Sequence, residues 1–309
     1  MKKLFTLLLS LFALVSHANQ PIEIIVSQAP GGVTDTVARA MQHHLTTSLG
    51  LESYLNNKPG ADGRIAGKYA VGKPADGTSL MIVGTGPFVF NKVLYNNLGY
   101  DYTDFDMLPL VRTQLAVIVP GDSKINTLQE FVTYSATHNM NCGVTTSPSS
   151  FLAKYLKAKL SLTTVEIIPY NRGGFSMLPD LISGNLNCLV DAANTYKAQH
   201  LAKKVKIIAL SSSEQVPDIG KVSLISEMIP GFSLSTWIGI GILKNTPDAI
   251  KQQILNSAKA MRTDKEFINT MDTTGMEVMA PIPNPEEFVS NEIKKVTEMA
   301  RILNISKVD

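Results

Sequence analysis

The sequence predicts an α/β protein of two domains, and two observations carry this prediction. Short apolar runs rich in β-branched residues alternate with longer segments of helical periodicity, which is typical of sheets covered by helices. The 309-residue chain also exceeds what one hydrophobic core usually holds, even without its first 18 residues. No repeat, low-complexity segment or long linker is visible, so the two domains are expected to share the chain through short crossings.

Eight apolar runs are predicted as strands because of their lengths and their β-branched content. They are Ile22 to Val26, Leu80 to Val83, Leu115 to Val119, Cys142 to Thr145, Val165 to Pro169, Leu186 to Val190, Val205 to Leu210 and Ile238 to Leu243. The extended segments near residues 112–120 and 228–243 are the expected crossings. We therefore expect a discontinuous first domain, residues 19–115 and 235–309, and a second domain of residues 116–234, with a hinge between them.

Three helix starts are legible in the sequence. Thr127 to Glu130 has the spacing of a capping box, in which hydroxyl and carboxylate satisfy each other's free backbone N–H groups. Thr246 and Asn284 each stand before a proline, which is typical of a cap residue followed by the first helical position. These features predict structure and carry no functional information.

The N-terminal segment has the organisation of a secretory signal peptide. Lys2 and Lys3 precede an apolar run from Leu4 to Val15, and small residues follow up to Ala18. The apolar run has about a dozen residues, whereas a membrane-spanning helix needs about 20. We therefore expect export with cleavage after Ala18 rather than a membrane anchor.

The charge balance of the exported chain excludes some partners. Without Lys2 and Lys3 the 28 basic residues fall to 26, which equals the 26 acidic residues. A net charge of zero argues against a nucleic-acid-binding or polybasic membrane surface. We therefore expect no nucleic acid among the partners.

The two cysteines of the chain are Cys142 and Cys188. After export both would meet an oxidising compartment, which permits a disulfide bond. Both lie in short apolar stretches that read as neighbouring buried strands. A disulfide and two unpaired core thiols both remain open, because the sequence does not show whether their Cβ atoms face each other.

The loop after the first predicted strand runs from Gln28 to Gly32 and leads into a helical pattern. Tandem glycines let the backbone turn sharply, and a helix start offers free N–H groups to an anion. The same pattern also fits an ordinary strand-to-helix turn, in which Thr34 or Asp35 caps the helix. Asp35 is unexpected in an anion site, so it either caps the helix or contacts a donor group of the ligand.

A second small-polar loop follows the predicted strand at Cys142. It contains Thr145, Ser147, Ser149 and Ser150 and leads into another helical pattern. Hydroxyl and N–H groups at this helix start would complement the first loop across a cleft. The alternative is a serine-rich helix cap with no ligand.

Catalytic, nucleotide and metal sites find little support in the sequence. Neither the first glycine loop nor Gly84 to Pro87 completes the three-glycine dinucleotide pattern, and no phosphate-binding loop with Gly-Lys-Thr spacing occurs. No nucleophile elbow or Ser-x-x-Lys motif is present. The histidines of the mature chain lack metal-ligand spacing and are interpreted as solvated surface residues: His43, His44, His138 and His200. We expect neither an enzyme nor a cofactor.

An ordered set of fragments spread over nearly all of the mature chain carries a family resemblance. They are Pro30-Gly31-Gly32 with Asp35, Ala38 and Arg39; Asn57 to Ala61 with Gly63; Ala75-Asp76-Gly77; Asn91, Tyr95, Tyr100, Asp101, Asp104 and Phe105; Ser150 with Leu152 and Ala153; Tyr170 before a glycine pair; Asp180-Leu181 with Gly184; and Asp191. Through the order and spacing of these fragments, the sequence resembles the periplasmic solute-binding proteins of tripartite tricarboxylate transporters, the Bug family.

The resemblance implies a two-lobed type II periplasmic binding protein, a Venus flytrap in which each lobe is a mostly parallel sheet flanked by helices. It implies a monomer in the periplasm that binds a small mono-, di- or tricarboxylate, an amino acid or a related amide. The implied partners are the membrane subunits of a tripartite tricarboxylate-type transporter. A membrane sensor kinase is the alternative partner.

The resemblance also assigns residues to the site. It implies that the first binding loop includes Gly31, Gly32 and Asp35, that Thr85 and Gly86 form a second wall, and that Ser147 to Ser150 lie on the opposing lobe, with Asp191 near the closing side. Other residues of the same loops are added to those assigned by the resemblance. The predicted ligand-binding residues are then Gln28, Gly31, Gly32, Thr34, Asp35, Thr85, Gly86, Thr145, Ser147, Ser149, Ser150, Tyr170, Arg172, Gly173 and Asp191.

The sequence departs from the family pattern mainly around the pocket. The departures are at Ser27 to Ala29, at Phe151, at Asn187 and in a longer run after Tyr170. Arg172 in that run would grip a second carboxylate bidentately and favour a diacid, or it is a solvated loop arginine. The departures leave the identity of the carboxylate open.

Overall fold

The computed structural model describes residues 20–170, 174–216 and 219–308. The signal peptide and its expected cleavage after Ala18 lie outside these residues, as do Arg172 and Gly173. Within the described ranges, no helix combines the length and the apolar character needed to cross a membrane.

Strands and helices alternate along the chain. The strands are β1 Ile22–Val26, β2 Ser53–Asn57, β3 Ser79–Gly84, β4 Phe105–Pro120, β5 Met140–Val144, β6 Val165–Pro169, β7 Cys188–Ala192, β8 Val205–Leu210, β9 Ser223–Leu224, β10 Ser235–Leu243 and β11 Glu277–Val278. The helices are α1 Val33–Leu49, α2 Arg64–Val71, α3 Asn91–Leu94, α4 Leu128–Ser135, α5 Ser147–Lys159, α6 Leu178–Ser183, α7 Ala193–Leu201, α8 Asp248–Ala260, α9 Lys265–Thr274 and α10 Pro285–Ile302. Each of the eight predicted strands overlaps an observed strand.

One long strand links the two halves of the molecule. The strands follow the order β2-β1-β3-β10-β4-β7-β5-β6, with β8 and β11 also paired to β4. The first part of β4, from Phe105 to Gln114, pairs with β10. The part from Leu115 onward pairs with β7 and β8. The pairing partners of β4 therefore change at Leu115.

The α/β class is confirmed, but the sheet is mixed rather than mostly parallel. The pairs β1–β2, β1–β3, β5–β6 and β5–β7 are parallel. The pairs that β4 makes with β10, β7 and β8 are antiparallel, as is β3–β10. The chain leaves the first half of the molecule along β4 and returns along β10, so these two neighbouring strands run in opposite directions.

Helices cover both faces of the sheet. On one face of the first half, α1, α8 and α9 pack on β1, β3, β4 and β10, and the α1 stripe Val37, Met41 and Leu45 is fully buried. On the second half, α6 and α7 pack on β4, β7 and β8. A third cluster contains residues of both halves, such as Val83 and Leu152. Each fully buried aliphatic side chain contributes about 1.5–3 kcal/mol, so burial stabilises both halves.

Two of the three predicted helix starts are confirmed. Thr127 caps α4 and Asn284 caps α10, each by accepting a hydrogen bond from the backbone N–H three residues further on. The start at Thr246 is wrong by one residue, because α8 begins at Asp248 and Pro247 occupies the cap position without a side-chain hydrogen bond. The side chain of Thr246 is buried instead.

The two cysteines meet on neighbouring strands. Cys142 on β5 and Cys188 on β7 are register partners in a parallel pair. Their Cα atoms are 4.5 Å apart, and a disulfide bond joins their sulfur atoms. Cys142 lies three residues before Thr145, where the loop that connects β5 to α5 begins.

Candidate ligand-binding site

The first loop connects β1 to α1. Gly31 has φ +84°, a left-handed conformation that glycine adopts without strain. Gly32 is the N-cap residue of α1, and no side chain caps this helix. The first backbone N–H groups of α1 are therefore available to an anion, and Thr34 does not act as the cap.

Asp35 holds the first loop in place. Its side chain is almost fully buried, and its Oδ2 accepts hydrogen bonds from the Gly31 N–H (3.0 Å) and from Arg39 Nε (2.9 Å). Its Oδ1 accepts a hydrogen bond from Asn57 Nδ2 (3.0 Å). Burial alone would raise the pKa of Asp35, but these hydrogen bonds outweigh burial and lower the pKa. Both carboxylate oxygens of Asp35 accept hydrogen bonds from within the protein. Asp35 therefore has a structural role, which explains why a carboxylate occurs beside a predicted anion site.

Gln28 completes the arrangement of the first loop. Asn57 Nδ2 also donates a hydrogen bond to the Gln28 carbonyl (2.9 Å). The Gln28 Oε1 lies 3.4 Å from the position that a Cβ on Gly32 would take. The Gln28 side chain therefore lies next to the helix start, in ordinary van der Waals distance of a Cβ at position 32.

The second predicted wall is formed by Thr85 and Gly86 at the end of β3. Thr85 is buried, and its hydroxyl oxygen accepts a hydrogen bond from the Trp237 N–H (2.8 Å), which ties β3 to β10. Gly86 begins a π-helical turn, Gly86–Phe90, that leads into α3. The hydroxyl group of Thr85 thus serves the sheet rather than the surface of a cleft.

The serine-rich loop connects β5 to α5. Thr146 and Ser149 form a capping box at the start of α5. Ser149 is fully buried, and its hydroxyl oxygen accepts hydrogen bonds from the Thr145 N–H (3.2 Å) and the Thr146 N–H (3.0 Å). Ser149 therefore belongs to the cap beneath the loop, whereas Ser147 and Ser150 are half-buried.

A cleft of about 300 Å³ opens beside the start of α5. Of the predicted site residues, Thr145, Ser147, Ser150 and Tyr170 line it. The complete lining is Leu94, Tyr95, Val144, Thr145, Thr146, Ser147, Ser150, Phe151, Lys154, Pro169, Tyr170 and Ile305. The structure does not bring Gln28, Gly31, Gly32, Thr34, Thr85 or Gly86 onto this lining.

Tyr170 and Asp191 are both held by specific hydrogen bonds. The Tyr170 hydroxyl donates to Asp180 Oδ2 at 2.6 Å. Asp191 is 4% exposed, and its Oδ1 accepts from the Thr145 hydroxyl (3.1 Å) and the Ala192 N–H (2.9 Å). Its Oδ2 is buried without a hydrogen-bond partner among the described residues. Burial raises the pKa of Asp191 to about 6.

Asp62 was not among the predicted site residues, but it contacts Ser147 of the cleft lining. It lies in the short turn Ala61–Gly63 after β2. A Cβ on Gly63 would lie 2.6 Å from Pro87 Cγ and 3.2 Å from Ser27 Cβ, so this turn packs between the end of β1 and the π-helical turn. The Asp62 carboxyl group faces Ser147, whose N–H and hydroxyl groups favour its charged form. One signal was available, since Asp62 is an acid between glycines in a matched segment.

Two cationic side chains lie on or next to the cleft lining. The Arg64 guanidinium lies over the Tyr95 ring, 3.8 Å from its centroid, and its Nε donates to the Ala61 carbonyl (3.2 Å). Lys154 is exposed and lies one helical turn beyond Ser150 on the cleft lining. Neither was predicted, because single basic residues carry no pattern in a sequence.

Metal binding finds no support in the described residues, since no group of three or more His, Cys, Asp or Glu side chains is suitably placed there. His43 and His138 are exposed as expected. The surface interpretation is wrong for His44, whose Nδ1 lies 2.8 Å from Asp264 Oδ2 and whose side chain is mostly buried. It is also wrong for His200, which is half-buried and uses both ring nitrogens in contacts with the backbone of Ile207 and Ile219. His44 joins α1 to the start of α9 and serves the fold.

Comparisons with known proteins agree on one family. The family model described as tripartite tricarboxylate transporter family receptor, TctC, matches residues 37–305. A relative from Pseudomonas sp. strain P51, a UPF0065 protein in the tcbD-tcbE intergenic region, is 25% identical over 291 residues, which cover 91% of this chain and 84% of the relative.

Two solved structures share the fold over nearly the whole chain. One is titled R. palustris Rpa4515 with adipate; it has a TM-score of 0.84 and 22% identity, and the match covers 93% of this chain and 98% of that one. The other is the periplasmic binding protein BugD, with a TM-score of 0.81, 27% identity and coverage of 93% and 99%. The described fold is thus that of two-lobed periplasmic binding proteins.

Proposed function

We propose that this chain, which belongs to the tripartite tricarboxylate transporter receptor family, captures a small carboxylate in the periplasm for the membrane subunits of such a transporter. Members of this family are solute-binding proteins, so the chain is a binding protein rather than an enzyme. The transporter role and the carboxylate class are our proposal.

The observation that carries the proposal is a pair of helix starts, one after the first loop and one after the serine-rich loop. The start of α1 has no side-chain cap, and the start of α5 presents the hydroxyl groups of Ser147 and Ser150. Both offer hydrogen-bond donors, and a helix start favours a negative charge. The exposed ammonium group of Lys154 adds a positive charge to the cleft lining. A carboxylate is the small group that these donors would hold.

We propose that the lobes are residues 19–115 with 235–309 and residues 116–234, and that they close around the ligand. The change in the pairing of β4 at Leu115 and the start of β10 at Ser235 support this division. The ring of Phe90 on the first lobe lies 5.2 Å from that of Phe151 on the second, so the two proposed lobes make an apolar contact here. Closure would exclude water and strengthen each hydrogen bond to the ligand.

The R. palustris neighbour was solved with adipate, a six-carbon diacid. This supports including diacids among the candidate ligands. The proposed second contact for a diacid, Arg172, lies outside the described residues.

The proposal is tested by measuring ligand binding to the mature protein, residues 19–309. We expect at least one member of a panel of mono-, di- and tricarboxylates and amino acids to raise the melting temperature and to bind with a measurable Kd in calorimetry. A matched panel of neutral sugars serves as the control. Binding of a sugar with no binding of any carboxylate would contradict the proposal.

A further inference from the structure

Asp62 reaches from one proposed lobe to the other. It lies in the turn Ala61–Gly63 on the first lobe, where it has a left-handed backbone with φ 52° and ψ 38°. Asn91 Nδ2 donates a hydrogen bond to the Asp62 carbonyl (3.0 Å), which fixes the turn to α3. The Asp62 side chain, by contrast, contacts Ser147, the first residue of α5 on the second lobe. This contact therefore joins the two lobes.

The Asp62 carboxylate occupies the position of an anion at the start of α5. Both the N–H and the hydroxyl group of Ser147 donate hydrogen bonds to it. The side chain of the cap residue Thr146 accepts from the Ser149 N–H instead, so it leaves the Ser147 N–H to Asp62. A helix start favours a negative charge, because its first N–H groups lack partners within the helix. A carboxylate of the protein itself thus takes the place that we propose for a ligand carboxylate.

This contact is costly for Asp62. Its Oδ2 is buried without a hydrogen-bond partner among the described residues, and burial raises the pKa of the carboxyl group against the opposing effects of Ser147 and Arg64. A left-handed backbone also costs more for an aspartate than for a glycine. Asp35 differs, because both of its oxygens accept hydrogen bonds and Arg39 compensates its charge. Asp62 is therefore easier to displace from its partners than Asp35.

An apolar contact lies beside this polar one. The ring of Phe151, four residues after Ser147 in α5, packs edge-on against Phe90, with 5.2 Å between the ring centroids. Phe90 ends the π-helical turn that begins at Gly86, and the Asp62 Oδ1 lies 3.9 Å from the position of a Cβ on Gly86. Residues one helical turn apart share a face of a helix. The same face of α5 is therefore held against the first lobe at two points, by an acid and by an aromatic ring.

We propose that Asp62 is a built-in competitor of the ligand: in the free protein its carboxylate occupies the start of α5 and latches the two lobes together, and a ligand carboxylate binds by displacing it. The inference rests on the proposed capture of a carboxylate and adds an autoinhibitory contact to it. Only the unlatched fraction of the protein can bind, so the apparent Kd rises as this fraction falls. Once displaced, Asp62 leaves the donors of Ser147 to the ligand.

The test compares the mature protein with Asp62→Gly and Asp62→Asn, by calorimetry with the tightest ligand of the carboxylate and amino-acid panel. Glycine suits the positive φ and removes the carboxylate. Asp62→Gly should therefore bind this ligand about tenfold more tightly than the wild type, as a latch closed in about nine molecules of ten would give. The asparagine amide can still accept from Ser147 but has no charge, so Asp62→Asn should lie in between. Small-angle X-ray scattering should show a larger radius of gyration for ligand-free Asp62→Gly than for the ligand-free wild type.

Lys203→Gly is the matched control, because it also places a glycine at a positive φ (58°) but lies in the turn between α7 and β8. It should keep the affinity and the radius of gyration of the wild type. Unchanged or weaker binding by Asp62→Gly, or equal radii of gyration in the absence of ligand, would overturn the inference. If neither the wild type nor Asp62→Gly bound any member of the panel, the proposed capture function would fail, and the scattering of the ligand-free proteins would still decide whether Asp62 latches the lobes.

Discussion

The two loops of the site begin their helices by different means. The start of α1 has no cap, and its loop is held by the charged side chain of Asp35, whose charge Arg39 compensates. The start of α5 is capped by the neutral hydroxyl groups of Thr146 and Ser149. In the first loop one side chain shapes the backbone at the helix start. In the second, separate side chains shape the loop and line the cleft, so mutations should affect stability and binding separately.

The largest expected effect concerns the disulfide, which anchors the second loop and has no counterpart at the first. The double variant Cys142→Ala and Cys188→Ala should lower the free energy of unfolding by about 4 kcal/mol, because the bond closes a segment with a sequence separation of 46. Urea denaturation of both proteins measures this change. A reductant should destabilise only the wild type, and equal stability of the two proteins would show that the bond does not anchor this loop.

The next effect concerns the first loop. Asp35→Ala should lower the free energy of unfolding by about 3 kcal/mol, because the Gly31 N–H, the Asn57 amide and Arg39 each lose a hydrogen bond. The same variant should weaken carboxylate binding, since Gly31 is no longer held. Asp272→Ala on the exposed face of α9 is the matched control for stability. Unchanged binding in a folded Asp35→Ala protein would contradict the role given to this loop.

The two buried acids should respond to pH in opposite directions. The pKa of Asp35 is lowered, so its contribution to stability is present above the unfolded-state pKa of about 4 and is lost as the pH falls through the folded-state pKa. The pKa of Asp191 is raised to about 6, so the folded protein holds this proton more tightly and its stabilising effect disappears as the pH rises from about 4 to about 6.

Asp191→Asn isolates the second of these effects. Relative to this variant, the wild type should lose no more than about 3 kcal/mol of stability between pH 4 and pH 7, because a shift of one pKa unit corresponds to about 1.4 kcal/mol. Urea denaturation at several pH values gives the difference. A difference independent of pH would mean that Asp191 does not titrate in this range.

The smallest effect separates serines within the second loop. Ser149→Ala should lower the free energy of unfolding by about 1 kcal/mol, because it removes one partner of the cap. Ser150→Ala should leave stability nearly unchanged and weaken ligand binding, since its side chain lines the cleft. Ser147→Ala should also lower stability, because the Ser147 hydroxyl group donates to the buried Asp62 carboxylate. Thermal melts and calorimetry on the three variants measure both quantities. The opposite pattern would reverse the assignment of these serines.

Much of the fold could be predicted because it depends on local patterns. Apolar runs of β-branched residues marked strands such as β1 and β8. The strand β2 was missed, because its sequence Ser53–Asn57 is polar and only half-buried at best. The first part of β4 was missed because Asp106, Pro109 and Arg112 interrupt its apolar residues. The antiparallel strand pairs were not predicted either. Whether two strands are parallel or antiparallel depends on how the chain crosses between the lobes.

The site was less predictable, because tertiary contacts assemble it. The serines of the second loop formed one group in the sequence, and only the helix geometry separates buried Ser149 from Ser147 and Ser150. Asp62 lies in a turn without periodicity, and it reaches the site because its turn packs against Ser27 and Pro87. Sequence patterns identify loops that begin helices, but not which distant side chain is brought to them.

The central claim is that one ligand contacts both loops. Amide hydrogen exchange of the mature protein, with and without the tightest ligand of the carboxylate and amino-acid panel, tests it most directly. We expect slower exchange in residues 28–35 and also in residues 145–150, because a bound ligand engages the N–H groups of both helix starts. Protection confined to one of these segments, or found only elsewhere in the chain, would contradict the account.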